Sequence, residues 1–209
     1  MAKYKRVTTP TGIASYPWLK EPDTSFVKDG QWSCNIFVEK SAAKALIKSI
    51  DDEYNENVKA TKKETGQDKI KPAPKPYVVG PGNVGKLEVG ADQVLFKIKS
   101  KARIGDTQIR PAVVDADGKP VSGIDIYGGS EVRVAMDMVP YYIATTGAGV
   151  TLRLIGVQIL TLQEKPAPDI NSLGFKKEDG FKVSEHEIPE VITGNVNENQ
   201  NKVTEEDFI

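Results

Sequence analysis

The chain has 209 residues, 39% hydrophobic and 27% charged, with a formal net charge of -1. That is room for one core-forming domain plus appendages, and no apolar run approaches the roughly 18 residues of a membrane span. One cysteine and one histidine exclude an internal disulfide framework and a structural zinc site, and a lone thiol suits a reducing cytosol. The opening MAKYKRVTTPTG has no apolar stretch behind its basic residues, so no secretory signal is expected. The charge is unevenly placed. Residues 183–209 carry seven acids against Lys202, leaving residues 1–182 with 27 basic and 22 acidic side chains. A basic body with an acidic tail points to a polyanionic partner, or to a solvated surface with a solubilising tail.

The first thirty residues mix Thr, Pro, Gly and aromatics, and Glu21-Pro22-Asp23 reads as a turn. QWSCNIFVEK then alternates, with Trp32, Cys34, Ile36 and Val38 on one side of a strand. Ser41 is placed to cap a helix over about 41–64, whose apolar stripe is Leu46, Ile50, Tyr54 and Val58. The Pro-, Gly- and Lys-rich stretch over about 65–86 reads as an irregular loop.

From there to residue 162 the pattern is β. In FKIKSKARI, Phe96, Ile98, Ser100, Ala102 and Ile104 face one way and Lys97, Lys99, Lys101 and Arg103 the other. VVDADGKP is a strand entering a turn, and EVRVAMDM turns Val132, Val134, Met136 and Met138 inward. In GVTLRLIGVQIL the apolar phase runs through Val150, Leu152 and Leu154, then slips after Gly156 to Val157 and Ile159, as a β-bulge makes it do. About five or six antiparallel strands with one helix fit an OB-type barrel, and a sandwich as well. The expected domain is 1–162, followed by a linker over 163–184 and a disordered acidic tail over 185–209.

Catalysis finds little support. Cys34 reads as a buried strand residue, His186 is alone in the tail, and GPGNVG, YGGS and TGAGV match neither a Walker loop nor a dinucleotide fingerprint. No enzyme activity, metal or cofactor is expected. Binding is better supported: Lys97, Lys99, Lys101 and Arg103 form a cationic ladder with about 6–7 Å between successive heads, near the phosphate repeat of an extended single strand. An edge strand protected by lysines would look the same. Tyr141 and Tyr142 follow a core-facing run and would emerge at a loop mouth as base-stacking platforms, with Trp18, Trp32, Tyr16 and Tyr77 as further candidates. Trp32 and Tyr54 read rather as core.

In chain order, GIASYPWLKEPD, KPAPKPY, FKIKSKA, VVDADGKP, GGSEVRV, VPYY and GVTLRL, closed by an acidic tail with Phe208 at its tip, resemble the single-stranded DNA-binding proteins of short-tailed bacteriophages (the gene 2.5 protein-like family). The resemblance covers most of residues 8–160. It implies a mainly β fold, an OB-fold-type antiparallel barrel with one capping α-helix. It also implies binding of single-stranded DNA without sequence specificity in phage replication, recombination and strand annealing, inside the infected bacterium. The implied partners are the phage DNA polymerase and primase-helicase, with a homodimer held through the tail and no membrane. The family's basic strand falls on Lys97, Lys99 and Lys101, the last standing where the family has an aromatic; its aromatic falls on Tyr141, while Tyr142 replaces a lysine and Ile143 a tryptophan. Glu205, Glu206, Asp207, Phe208 and Ile209 would form a short ligand for a basic-rimmed apolar pocket on a partner, or lie over the cationic strand when DNA is absent. The alternative is a β-barrel protein-interaction module that binds no nucleic acid.

Overall fold

The computed structural model describes residues 4–25, 27–163, 165, 174, 176 and 178–180; the tail residues 205–209, His186 and most of the expected linker lie outside them. The body is built from β1 (Lys5–Thr8), β2 (Gly12–Asp23), β3 (Gln31–Glu39), α1 (Lys40–Thr65), β4 (Tyr77–Val79), β5 (Gly82–Val84), β6 (Leu87–Val89), β7 (Gln93–Phe96), β8 (Ile98–Lys101), β9 (Arg103–Ile104), β10 (Thr107–Gln108), β11 (Ala112–Val114), β12 (Glu131–Ile143) and β13 (Gly147–Thr161).

Five of these strands close on themselves. β2 pairs with β3, β3 with β8, β8 with β13, β13 with β12, and β12 returns to β2 at Ile13 and Gly12. The ring is antiparallel except at β8–β13, whose parallel pairing of Ile98 with Leu152 and Lys99 with Arg153 closes the barrel. This is the OB-type closure. Period-2 alternation fills it: Trp32, Cys34, Ile36 and Val38 of β3 meet Val132, Val134, Met136 and Met138 of β12 and Val150, Leu152 and Leu154 of β13 in one core. Burial there pushes the Cys34 thiol up to about 12, so it stays protonated and inert at neutral pH. The phase slip in β13 is a bulge: Ala135 pairs with Gly156 and Met136 with Leu154, leaving Ile155 extra.

α1 closes one end. Ala43, Leu46, Ile50 and Tyr54 are buried, each large side chain contributing about 1.5–3 kcal/mol through removal from water. The helix begins at Lys40 with Glu39 as N-cap and no side-chain cap. Ser41, expected in that role, instead donates its hydroxyl to the Glu39 carboxylate, while the Lys40 N–H is taken by the Asp92 carbonyl at 2.8 Å. Gly66, left-handed at φ 67°, ends the helix.

Two segments expected to be irregular are strands. Gly12–Asp23 is a twelve-residue strand rather than a loop ending in a turn. Its prolines, which cannot donate to the ladder, fall inside the two register shifts, Pro17 between Ser15 and Trp18 and Pro22 between Trp18 and Asp23. The stretch after α1 contains β4, which pairs with β7, and the β5–β6 hairpin. The long strand read in FKIKSKARI is interrupted as well. β7 and β8 run along β3 in one register, but the Lys97 N–H goes to the Pro76 carbonyl. Past Ala102 the chain leaves the barrel as the β9–β10 hairpin, so Ile104 is 54% exposed rather than core-facing. Among the described residues, no helix is long and apolar enough to cross a membrane.

Candidate nucleic-acid interface

The outward face of β3, β8 and β13 carries an open groove of 610 Å3. Its floor and walls include Gln31, Ser33 and Asn35 of β3, Lys97 and Lys99, and Val150 and Thr151 of β13. One side is formed by Pro74, Lys75 and Pro76, with Val84 and Leu87 of the β5–β6 hairpin; the other by Tyr141, Ile143 and Thr146. Lys99, Gln31 and Thr151 also line an adjoining recess of 520 Å3, together with Lys101, Arg153, Ile104, Ile109, Val139 and Leu154. The two hollows therefore share a cationic wall.

Alternation puts the lysines there. Phe96, Ile98 and Ser100 point into the core, so Lys97, Lys99 and Lys101 must point out. None of the three makes an ion pair among the described residues. Arg103 parts company with them. The bend at Ala102 carries it to a separate recess of 460 Å3 with Lys20, Lys28 and Arg110, where Arg110 stacks on the Trp32 ring at 5.7 Å. Trp32 is core, as expected, and its indole N–H donates to the Ile109 carbonyl at 2.6 Å.

The tyrosine pair is split in the same way. Tyr141 and Ile143 line the groove, so Tyr142 between them points to the opposite side of the hairpin, where it is exposed. Tyr141 is held by its surroundings. Its cross-strand partner is Gly149, where a Cβ would come within 3.0 Å of the Tyr141 hydroxyl and 2.8 Å of the Ala73 Cβ; only glycine leaves the ring that space. From α1, the Asn57 side-chain amide donates to the carbonyls of both Tyr141 and Gly149 at 2.8 Å. The loop after α1 clamps the same hairpin: the Ala73 N–H bonds the Ala148 carbonyl and the Ala148 N–H the Lys71 carbonyl.

Lys75 is a groove residue that periodicity could not find, because it sits in the Pro-Lys-Pro loop outside any repeating pattern. Burial pulls its pKa down, but its bonds to the Asp51 carboxylate and the Tyr77 hydroxyl win, and the ammonium is held above its ordinary value. It also lies 5.2 Å from the centre of the Tyr54 ring and 5.6 Å from that of Tyr77. Lys75 is thus a fixed, partly neutralised charge on the wall, whereas Lys97 and Lys99 are unpaired. Tyr77, whose hydroxyl donates to Asp51 at 2.7 Å, is committed to that cluster and to a tilted contact with the Phe96 ring, centroids 6.0 Å apart.

Known proteins share this architecture. Over 87% of the chain and all of the other, the fold superposes on gp2.5, a single-stranded DNA-binding protein encoded by bacteriophage T7, with a TM-score of 0.69 and 22% identity. The single-stranded DNA-binding protein of bacteriophage Enc34, solved in complex with single-stranded DNA, matches 76% of this chain and 88% of its own at TM-score 0.59 and 18% identity. At these identities the likeness is one of fold. No curated protein sequence matches significantly. The family model for the single-stranded DNA-binding protein of bacteriophage T7 matches residues 11–162, from the start of β2 to the end of β13, and the chain belongs to that family of phage single-stranded DNA-binding proteins.

Proposed function

We propose that this chain binds single-stranded DNA with little sequence preference in the groove over β3, β8 and β13, as a binding protein without chemistry of its own. The observation that carries this reading is that unpaired Lys97 and Lys99, continued by Lys101 in the adjoining recess, share the groove with Tyr141, which is fixed on one of its sides. The lysines would neutralise successive phosphates and release counterions, while Tyr141 would stack a base of any kind. Neither contact reads a base edge, which is why sequence would matter little. Arg103 and Tyr142 would contribute only where a strand extends past the groove.

Membership of the family supports placing that binding in phage DNA replication, recombination and strand annealing, in the cytoplasm of the infected bacterium. We take residues 1–162 as the nucleic-acid-binding domain, 163–184 as linker and 185–209 as a partner-binding tail. Glu205, Glu206 and Asp207 would be attracted to a basic rim, and Phe208 and Ile209 would fill an apolar pocket on the DNA polymerase or primase-helicase, or on a second copy of the chain. A fluorescence-anisotropy titration of labelled oligo-dT and of duplex, at several salt concentrations, tests the core of the proposal. Tight, salt-sensitive binding to the single strand alone supports it. Equal affinity for duplex, or affinity indifferent to salt, defeats it and leaves a protein-interaction module as the reading.

A further inference from the structure

Trp18 lies outside the groove, yet the strand registers place it on the same face. In β2–β3 it is directly opposite Ser33; in β3–β8, Ser33 is opposite Lys99; in β8–β13, Lys99 is beside Arg153. Residues directly opposite one another share a face of the sheet. Trp18, Ser33, Lys99 and Arg153 therefore form one row across four strands, each step about 4.8 Å. Trp18 stands one strand beyond the groove's β3 wall and about 10 Å from the Lys99 backbone.

β2 is distorted to put it there. Ala14 is buried, and strict alternation would send Tyr16 and Trp18 inward after it. The shift of register between Ser15 and Trp18 reverses the phase, so Leu19 goes into the core while Trp18 is 43% and Tyr16 66% exposed. Tyr16 accommodates the reversal at φ 46°, a left-handed conformation that costs a non-glycine residue energy. A strained bulge thus turns a tryptophan out of the core and leaves it partly in solvent. Beside it lies a recess of 280 Å3 lined by Trp18, Leu19, Ile126 and Tyr127, together with Glu21 and the Lys20–Asp125 ion pair.

We infer that single-stranded DNA leaving the groove crosses β3 and stacks a base on Trp18, so that the chain holds at least one nucleotide more than its groove does. This rests on the proposed function of the groove and extends the same path. The ligand class is a nucleobase of any identity, because an indole face is sequence-tolerant. Continuity with Lys99, the unpaired cation of that row, favours DNA over a protein partner.

The chain holds two tryptophans, and Trp32 is 6% exposed, which makes quenching of emission on DNA contact a local probe of Trp18. The full chain is titrated with oligo-dT of increasing length. Short oligonucleotides that fill only the groove should bind with little quenching, and longer ones should quench strongly. Trp18→Ala should weaken binding of long oligonucleotides about five- to a hundredfold and leave short ones unchanged, with Trp18→Phe restoring most of the loss. Circular dichroism and the remaining Trp32 emission verify that the variants fold. A Trp18→Ala chain that binds every length as the parent does overturns the inference, and a changed sedimentation coefficient in that variant would reassign the patch to self-association. A parent that binds no oligonucleotide at all defeats the groove itself, which is a distinguishable failure.

Discussion

Lys99 and Asp137 belong to one row of the barrel: Lys99 is beside Arg153, Arg153 is opposite Asp137, and Asp137 is opposite Arg6. The two ends of that row handle charge in opposite ways. Asp137 is buried, and its carboxylate accepts from Arg6 Nε at 2.7 Å and from an Arg153 terminal nitrogen at 2.8 Å. Arg153 also packs over the Tyr4 ring at 4.7 Å. At that end two cations are spent on fixing β1, β12 and β13 together. At the other end, Lys97, Lys99 and Lys101 have no carboxylate opposite them among the described residues. Cations of similar number thus differ in availability, and only the unpaired set can exchange counterions for phosphates.

That contrast can be broken from either end. The largest effect is expected from Lys97→Glu combined with Lys99→Glu, which reverses the groove wall. Affinity for oligo-dT at low salt should fall by about a hundredfold or more, since phosphate contacts dominate affinity, while thermal unfolding stays close to the parent's. Tyr141→Ala should follow with a loss of about five- to a hundredfold and an unchanged salt slope, because stacking displaces no counterions. Asp137→Asn should behave in the opposite manner. Urea unfolding should report a loss of about 1–2 kcal/mol from weakened charge-assisted bonds, discounted because both arginines reach solvent, and oligonucleotide affinity should stay put. Smallest of all is Tyr142→Ala, expected to change affinity less than about twofold because the ring faces away from the groove.

The Asp137 end also has a pH signature. Hydrogen bonds from Arg6, then from Arg153, hold its carboxyl below the usual carboxylate range against the opposing effect of burial. A depressed pKa stabilises the fold at every pH above the unfolded value of about 3.9, and that contribution disappears as pH falls through the lower folded value. The parent's advantage over Asp137→Asn should therefore be constant between about pH 7 and pH 5 and shrink below about pH 4. An advantage that grew with acidity would mean that the arginines do not stabilise the ionised form.

Periodicity made much of this legible. β12, β13 and the apolar stripe of α1 follow from alternation and from the four-residue recurrence of Leu46, Ile50 and Tyr54. Even the bulge at Ile155 showed as a slip of phase after Gly156. What stayed hidden is what depends on distant partners. Pro17 and Pro22 look like turn residues in isolation, and only the β3 ladder shows that β2 absorbs them as irregularities. The parallel β8–β13 pair joins residues far apart in the chain, so no local pattern reports the closure of the barrel. Arg103 continues the alternation of the three lysines in sequence, but the β9–β10 hairpin takes it elsewhere. Lys75, within KPAPKPY, has no periodicity to place it, and its position depends on Asp51 and Tyr77.

Whether the unpaired lysines meet phosphates can be read from the salt dependence of oligo-dT binding by the parent and by Lys99→Ala. Each phosphate contact on a single strand contributes about 0.7 to the slope of log K against log salt. Loss of Lys99 should lower the magnitude of that slope by about this amount, together with a weakening shared equally by dT, dC and dA oligonucleotides. An unchanged slope in a folded Lys99→Ala chain would mean that Lys99 meets no phosphate.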